Sequence, residues 1–385
     1  MPRIEKKSKL KRDRKTIATT GRRVLFPESE GPSIKTRSAT AEDPVLRRYL
    51  PLQDLDAAAE FPKLGILDWR ENPPEPGSIE IEQAANRIIC ADSETALKCL
   101  PDNSIDCIIT SPPYWNVIDY GVAGQLGFCS YDEYLMQLLA VWRECERILV
   151  PNGKLCIVAP IMPISKKVLP DQHTRHIKNI SNDIESIILT YLTLNRFSLY
   201  IWQKQTTEKM FGSYPFPPNL YEQNTIEFIS VFVKAGKPKQ VPKEVKEPSK
   251  VTEKEWMNLT RQIWPLYPED VKRVSHPAPF PESLPNRLIA MYSFAACPES
   301  DPPFWGDIVL DPFNGTGATC VAAKKLGRRF IGIDLSPDFC VITRRRVNKT
   351  ILDRKISQLE DPKNANENHQ KQDALFHLPR FQAHS

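Results

Sequence analysis

The chain has 385 residues, of which 41% are hydrophobic and 26% are charged, so it can bury a sizeable core and wholesale disorder is excluded. No run approaches the roughly 18 apolar residues of a membrane-spanning helix, and the basic N-terminus lacks the apolar stretch of a secretion signal. The formal net charge of +5 arises at one end of the chain, because residues 1–25 carry ten Lys or Arg against Glu5 and Asp13.

The basic segment 1–25 has three interpretations: a solvated tail, an arm that contacts nucleic acid phosphates, or a nuclear address. Up to residue 85 the chain mixes charge with proline, and residues 71–77 read as an extended linker. We therefore predict that residues 1–85 form a basic, largely disordered extension. The protein is expected in the cytoplasm, associated with the nucleoid, or in the nucleus if its source is eukaryotic.

From residue 86 onward, short apolar runs alternate with longer amphipathic patterns, which is typical of parallel strands connected by helices. Strands are predicted at residues 87–91, 105–110, 154–159, 197–203, 225–234, 308–310 and 330–333. Helices are predicted at residues 131–149, 177–194, 284–295, 316–326 and 337–347. The lysine- and proline-rich residues 234–251 should form an exposed loop, and residues 351–385 a polar tail.

This alternation predicts an α/β fold with a doubly wound, mostly parallel sheet, in which ligands bind at the carboxyl ends of the strands. Nine cysteines are scattered without C-x-x-C spacing, so the sequence predicts neither a metal site nor a disulfide framework.

The first candidate ligand site follows the strand at 308–310, in the sequence Asp311-Pro-Phe-Asn-Gly-Thr-Gly317. Glycines there let the backbone approach a ligand, and Asp334 closes the next strand, where a βαβ nucleoside site places a carboxylate on the ribose. Cys320 replaces the third glycine of a dinucleotide site, and no lysine follows Gly317 as in a phosphate loop. Asp311 suits a cationic group instead, and S-adenosyl-L-methionine meets these requirements.

The second candidate site is Thr110-Ser-Pro-Pro-Tyr-Trp115, at the carboxyl end of the strand 105–110. The two prolines form a rigid corner whose carbonyl groups, with the Ser111 hydroxyl, present hydrogen-bond acceptors. Such acceptors can hold an exocyclic amine and help to localise its lone pair, while Tyr114 stacks on an extruded base. A rigid turn with a buried aromatic residue is the alternative interpretation.

Together, the two motifs resemble the catalytic and cofactor motifs of the amino-methyltransferases of DNA. The resemblance extends over residues 86–350 and includes residues 276–281 and 284–289, which precede the cofactor strand. Because the catalytic motif comes first, the order resembles the circularly permuted beta class. That class implies a catalytic half at 86–203, an inserted target-recognition segment at 204–270 and a cofactor half at 271–350.

The resemblance implies roles for single residues. The catalytic motif corresponds to Ser111, Pro112, Pro113 and Tyr114. Phe313 would pack on the adenine of S-adenosyl-L-methionine, Asp334 would hold its ribose, and Asp92 would contact the adenine edge. The methionine part is expected to be held by Asp311, Gly315, Thr316 and Gly317. Ala318 departs from the small hydroxyl residue that the family shows after the last glycine.

Serine as the first letter of the catalytic motif is typical of cytosine-N4 enzymes, whereas adenine-N6 relatives more often have Asp or Asn. We therefore expect cytosine-N4 methylation of double-stranded DNA by base flipping, with a cognate restriction endonuclease as a further partner. Cytosine-C5 methylation is disfavoured, because it needs a Pro-Cys nucleophile and the chain has no such dipeptide. Adenine-N6 methylation, a catalytically silent DNA-binding protein, and methylation of RNA or protein remain open.

Overall fold

The computed structural model describes residues 57–116, 122, 124–164, 176–206, 211–213, 215–268 and 280–353. Its first strands are β1 (Leu67–Asp68), β2 (Arg87–Cys90), β3 (Ile105–Thr110), β4 (Leu149–Ile164), β5 (His176–Asn179) and β6 (Asn195–Lys204). The remaining strands are β7 (Phe211–Gly212), β8 (Leu220–Tyr221), β9 (Ile226–Val233), β10 (Ile263–Leu266), β11 (Ile308–Asp311) and β12 (Arg329–Asp334).

The main sheet has the strand order β1-β2-β12-β11-β3-β4-β9-β6-β10, and β5 pairs with the end of β4. Pairing is parallel from β1 through to β4, whereas β9 runs antiparallel to both β4 and β6. Apart from β9 and the short β5, which run antiparallel to β4, the strands of this sheet therefore end at the same edge, which we call the carboxyl edge. The opposite edge is the amino edge. Strands β7 and β8 form a separate hairpin.

Helices cover both faces of this sheet. They are α1 (Phe61–Leu64), α2 (Ile81–Ala84), α3 (Ser93–Cys99), α4 (Tyr131–Ile148), α5 (Ile180–Tyr191), α6 (Lys243–Lys246), α7 (Glu253–Leu259), α8 (Ser283–Tyr292), α9 (Ala318–Lys325) and α10 (Pro337–Lys349). Helices α3, α4 and α5 pack along one face, and α8, α9 and α10 along the other. The doubly wound, mostly parallel sheet predicted from the sequence is confirmed. No helix of the described residues is long and apolar enough to span a bilayer.

Helix α4 illustrates how local sequence fixes an element. Ser130 caps its N-terminus in a reciprocal capping box with Glu133, which satisfies backbone N–H groups that have no partner inside the helix. Its buried side chains recur at helical spacing and form one apolar face: Tyr134, Leu135, Leu138, Leu139, Val141, Trp142, Cys145 and Ile148. That face packs against β4 and the neighbouring helices.

The described structure differs from the expected disordered extension in residues 57–85. A 3-10 helix at Ala57–Glu60 and helix α1 pack against α10, and β1 adds a parallel edge strand to β2. Phe61, Ile66 and Trp69 are buried there, so enough apolar surface is removed from water to order this segment. Residues 1–56, including the basic segment 1–25, lie outside the described residues.

The lysine-rich residues 234–251 are mostly exposed, as predicted, but part of this segment has regular secondary structure. Strand β9 delivers this segment to the amino edge of the sheet, where it forms α6 and a 3-10 helix at Glu247–Ser249. Val245 is buried and the Ser249 hydroxyl accepts a hydrogen bond from the Ala295 amide. Val245 and Ser249, which make these contacts, lie between charged residues. The overall composition of the segment therefore does not reveal them.

Lys239 ties this segment to two strands of the sheet. Its ammonium lies 2.5 Å from a carboxylate oxygen of Asp106 and 2.5 Å from one of Asp307. Burial and the neighbouring Asp106 raise the pKa of Asp307 to about 6, while Lys239 opposes that rise. One lysine is therefore shared between two carboxylates that are largely withdrawn from water.

We predict that Lys239→Ala lowers the free energy of unfolding by about 1–3 kcal/mol, measured by urea denaturation, because it leaves buried Asp307 without its cation. Lys237→Ala, an exposed neighbour, should change stability by less than about 0.5 kcal/mol. The ion pair needs an ionised Asp307, so its contribution fades as pH falls through about 6. The deficit of Lys239→Ala should therefore be larger at pH 8 than at pH 5, and equal deficits would contradict this assignment.

Candidate active site

A cavity that opens to solvent lies at the carboxyl edge where β2, β12, β11 and β3 end. Ten of the eleven site residues predicted from the sequence line this cavity: Asp92, Ser111, Pro112, Pro113, Tyr114, Phe313, Gly315, Thr316, Gly317 and Asp334. The structure thus brings together two motifs that are about 200 residues apart in the chain.

The turn between β11 and α9 forms one wall of the cavity. Gly317 has a φ of +83°, and a Cβ placed there would lie 2.5 Å from Cγ2 of Thr343 on α10. The Thr343 hydroxyl donates to the Gly315 carbonyl and accepts from the Asn314 amide, each at 3.0 Å. Glycine is therefore required at 317 both by its backbone conformation and by the close approach of α10.

Asp334 lies at the end of β12 and faces this turn. Its two carboxylate oxygens accept backbone hydrogen bonds from Gly315 at 2.7 Å and from Ser336 at 2.8 Å. Although these bonds favour the ionised form, burial outweighs them and raises the pKa of Asp334 to about 7. The carboxyl group is thus partly protonated at neutral pH. Any further hydrogen-bond donor that enters the cavity would stabilise its ionised form.

Asp92 and Phe313 complete the predicted nucleoside side. Asp92 caps α3, its carboxylate accepting from the Thr95 amide at 3.0 Å, and the neighbouring Ser93 hydroxyl donates to the Pro312 carbonyl at 2.6 Å. Phe313 meets the buried Trp142 edge-on, with 6.1 Å between the ring centroids. One face of α4 therefore fixes the ring that is predicted to pack on the cofactor's adenine.

Asp311 is the predicted residue that does not line the cavity. It is 1% exposed, and its carboxylate accepts hydrogen bonds from the hydroxyls of Thr110 and Thr319, both at 2.7 Å, and from the Phe313 amide at 3.1 Å. Burial raises its pKa to about 6, and the three donors oppose that rise. The carboxylate oxygens of Asp311 are occupied by neighbouring residues, because they point towards Thr110. Asp311 would therefore act on a ligand only indirectly, by supporting the turn.

The catalytic motif forms the opposite wall of the cavity. The hydroxyls of Ser111 and Tyr114 are 2.8 Å apart, so the serine and the aromatic ring are held together. The buried Tyr134 donates its hydroxyl to the Pro113 carbonyl at 2.8 Å. Of the two prolyl carbonyls proposed as acceptors, that of Pro113 is therefore already engaged by α4.

Two charged residues behind Tyr114 were not identified from the sequence. The Tyr114 hydroxyl donates to Glu227 at the start of β9 at 3.2 Å, and the other carboxylate oxygen of Glu227 lies 2.6 Å from the Lys204 ammonium. Glu227 is only 6% exposed. Its position as a charged residue inside the apolar strand Ile226–Val233 is the signal that could have identified it.

Comparison with known proteins places this arrangement in context. A family model described as DNA methylase matches residues 105–345, from the first residue of β3 into α10. The matched range includes both motifs, whereas Asp92 and the N-terminal elements lie outside it.

Individual relatives support the same comparison. The Type II methyltransferase M.MthZI of Methanothermobacter thermautotrophicus is 29% identical, over 66% of this chain and 74% of the relative. M.MjaI of Methanocaldococcus jannaschii is 28% identical, over 70% of this chain and 93% of the relative. TTHA0409 of Thermus thermophilus, assigned as a DNA modification methylase and solved with S-adenosyl-L-methionine, is 30% identical with a TM-score of 0.54. The alignment covers 70% of this chain and 98% of that protein.

We predict that Gly317→Ala lowers the free energy of unfolding by about 2–4 kcal/mol in urea denaturation, because left-handed strain adds to the clash with Thr343. Gly77→Ala is the matched control, since Gly77 has a φ of +66° with nothing within 4 Å of the added Cβ. It should lose only about 1 kcal/mol for backbone strain. Equal losses in both variants would show that the contact with α10 has no energetic weight.

Proposed function

The chain belongs to the N6/N4 DNA methylase family, and from that premise we propose that it methylates the exocyclic N4 amine of cytosine in duplex DNA. The coarser activity, methyl transfer to an amino group of a DNA base, is that of the family. The observation that carries the proposal is the cavity shared by the Ser111–Tyr114 corner and the glycine turn at 315–317. An amine held at the corner would lie beside a methyl donor held at the turn.

The residues of the cavity fit S-adenosyl-L-methionine, which is the cofactor of this family and supplies an electrophilic methyl group when bound. Asp334 would accept hydrogen bonds from the ribose, and Phe313 would pack on the adenine. Asp92, at the N-terminus of α3, lies where it can meet the adenine edge. The turn at Gly315, Thr316 and Gly317 would hold the methionine part, and Asp311 supports that turn from below.

The catalytic corner acts on the target amine. Its nitrogen lone pair is delocalised into the base, and acceptors on the two N–H groups favour the pyramidal geometry in which that pair is available. We assign this role to the Ser111 hydroxyl and the Pro112 carbonyl, with Pro113 held by Tyr134. Tyr114 would stack on the target base, which must be flipped out of the duplex to enter the cavity.

Cytosine is preferred over adenine because the corner begins with a serine. A hydroxyl stands where adenine-N6 relatives more often present Asp or Asn, and Glu227 is set back behind Tyr114. We also propose that a restriction endonuclease of the same specificity accompanies the enzyme, as in Type II systems.

The proposed recognition segment at residues 204–270 contains parts that lie at opposite edges of the sheet. Strand β9 lies within this range but belongs to the sheet, and residues 234–262 lie at or start from the amino edge, away from the cavity. Residues 205–225 connect the end of β6 to the start of β9 at the carboxyl edge, and their described part carries the hairpin β7–β8 with Phe216 73% exposed. We propose that DNA is read by residues 205–225 and 267–270 of this segment.

The target base is tested by expressing the protein in cells without other DNA methyltransferases and analysing nucleosides by mass spectrometry. We expect N4-methylcytosine; N6-methyladenine would replace the proposal by the other activity of the family. Ser111→Ala should reduce the methylated nucleoside on the order of 100-fold or more, because it removes an acceptor used in the transition state. Cofactor affinity by calorimetry should stay unchanged, and Ser186→Ala, on the exposed side of α5, is the control.

Cofactor binding should depend on pH through Asp334. The free carboxyl has a pKa of about 7, and ribose hydroxyls bind the ionised form, so affinity should fall as pH decreases from 8 to 6. Asp334→Asn should lower affinity at pH 8 by about 1.5–3 kcal/mol and remove this pH dependence. Calorimetry at three pH values tests both statements, with Asp132→Asn on the exposed side of α4 as control. If Asp334→Asn keeps the wild-type pH profile, Asp334 does not hold the ribose.

A further inference from the structure

Behind the catalytic corner, four side chains form a continuous chain of polar contacts. Ser111 and Tyr114 are joined at 2.8 Å, Tyr114 and Glu227 at 3.2 Å, and Glu227 and Lys204 at 2.6 Å. These residues come from three parts of the sheet: the turn after β3, the start of β9 and the end of β6. This series of polar contacts runs from the cavity wall into the protein, where Glu227 is 6% exposed.

The donor and acceptor properties of these groups fix the direction of the hydrogen bonds between them. A carboxylate only accepts hydrogen bonds and a tyrosine hydroxyl has a single proton, so a Tyr114 that donates to Glu227 has none left for Ser111. Ser111 must then donate its own hydroxyl proton to Tyr114, which leaves the lone pairs of the serine oxygen free to face the cavity. The serine oxygen is thereby presented as an acceptor.

Lys204 maintains that direction. Its ammonium pairs with Glu227 and lies 5.4 Å from the centroid of the Trp202 ring, so the carboxylate has a charged partner inside the protein. Removing the lysine would leave a buried carboxylate without its charged partner, which weakens the contact that fixes the direction of the hydrogen bonds.

We propose that Glu227 and Lys204 are positioning residues that set the polarity of the Ser111–Tyr114 pair, so that Ser111 accepts a hydrogen bond from the target amine. This inference rests on the proposed amino-methyltransferase activity and adds two residues to it. Neither residue touches the base or the cofactor; each acts through Tyr114.

The test measures transfer of a tritiated methyl group from S-adenosyl-L-methionine to unmethylated bacterial genomic DNA, with purified full-length variants. Glu227→Gln keeps the shape of the side chain but adds N–H donors that can reverse the chain. We expect kcat to fall about 10–100-fold, with the KM and calorimetric affinity for S-adenosyl-L-methionine within about twofold of wild type. Glu299→Gln, an exposed glutamate at the amino edge, is the matched control and should leave kcat unchanged.

A double-mutant cycle separates this role from a general structural one. Tyr114→Phe retains the ring but removes the hydroxyl through which Glu227 acts. Glu227→Gln should therefore lower kcat in the wild type and have less than about a twofold further effect in Tyr114→Phe. Multiplicative losses in the double variant would overturn the proposal, and so would a wild-type kcat in Glu227→Gln.

Lys204 provides a second test if Glu227→Gln does not fold. Lys204→Arg retains the cation and should keep kcat within about threefold, whereas Lys204→Met should lower it about 3–10-fold. Equal activity in these two variants would contradict a role for the charge. Because tritium counts register methylation of either base, a wrong assignment of cytosine leaves this test intact, and an inactive wild type would refute the proposed function instead.

Discussion

The hydrogen bond from Thr110 to Asp311 joins the two strands that carry the two predicted motifs, and a second hydrogen bond from Thr319 holds the same carboxylate from α9. Asp311 ends β11 and Thr110 ends β3, and these parallel neighbours are 201 residues apart in the chain. An ionised carboxylate without partners in such a buried position would cost several kcal/mol. The carboxylate therefore holds its donors in place. This also fixes the distance between the predicted catalytic turn, which follows Thr110, and the glycine turn, which follows Asp311.

Strand direction then decides which insertions share the site. Residues 205–225 connect strands at the carboxyl edge, whereas residues 234–251 are delivered to the amino edge by β9. There Lys239 forms ion pairs with Asp106 and Asp307, so this lysine serves the fold. The permuted order of the motifs has no effect on this geometry, because the sheet brings the same strand ends together in either order.

The sequence was sufficient wherever a feature depends on local periodicity or on a motif. The strand at 105–110 was predicted at its observed bounds, and helix α4 ends one residue earlier than predicted. The cavity residues of both motifs also follow from short sequences with fixed turn chemistry. What could not be predicted depends on contacts between distant segments. Strand β1 has two residues and forms only because β2 offers an open edge, and α3 and β10 are too short to show a clear period.

Residue roles show the same division. Asp311 was expected to face the ligand because it begins the motif, but the pleat of β11 turns its carboxylate towards Thr110, and only the neighbouring strand shows that. Glu227 and Tyr134 were missed for the complementary reason, since each reaches the catalytic motif from another element. A charged residue within an apolar strand, as at 227, is a signal worth following, because burial without a partner would be costly.

The pair of Glu227 and Lys204 also bears on how a hydroxyl group can fill the role proposed for Ser111. The amine that is methylated is neutral before the reaction and gains positive charge as the new bond forms, so a good acceptor must strengthen its hold during that step. A hydroxyl alone is a modest acceptor, but one that donates towards an ionised carboxylate is polarised by it, and its oxygen becomes a better acceptor in turn. In the proposed arrangement Glu227 polarises the Ser111 hydroxyl through the hydrogen bonds of Tyr114. Lys204 balances the charge of the Glu227 carboxylate. A buried ion pair of this kind contributes little to stability, because desolvation offsets the attraction between the charges. Its contribution at this position is directional, which is what a neutral catalytic hydroxyl lacks on its own.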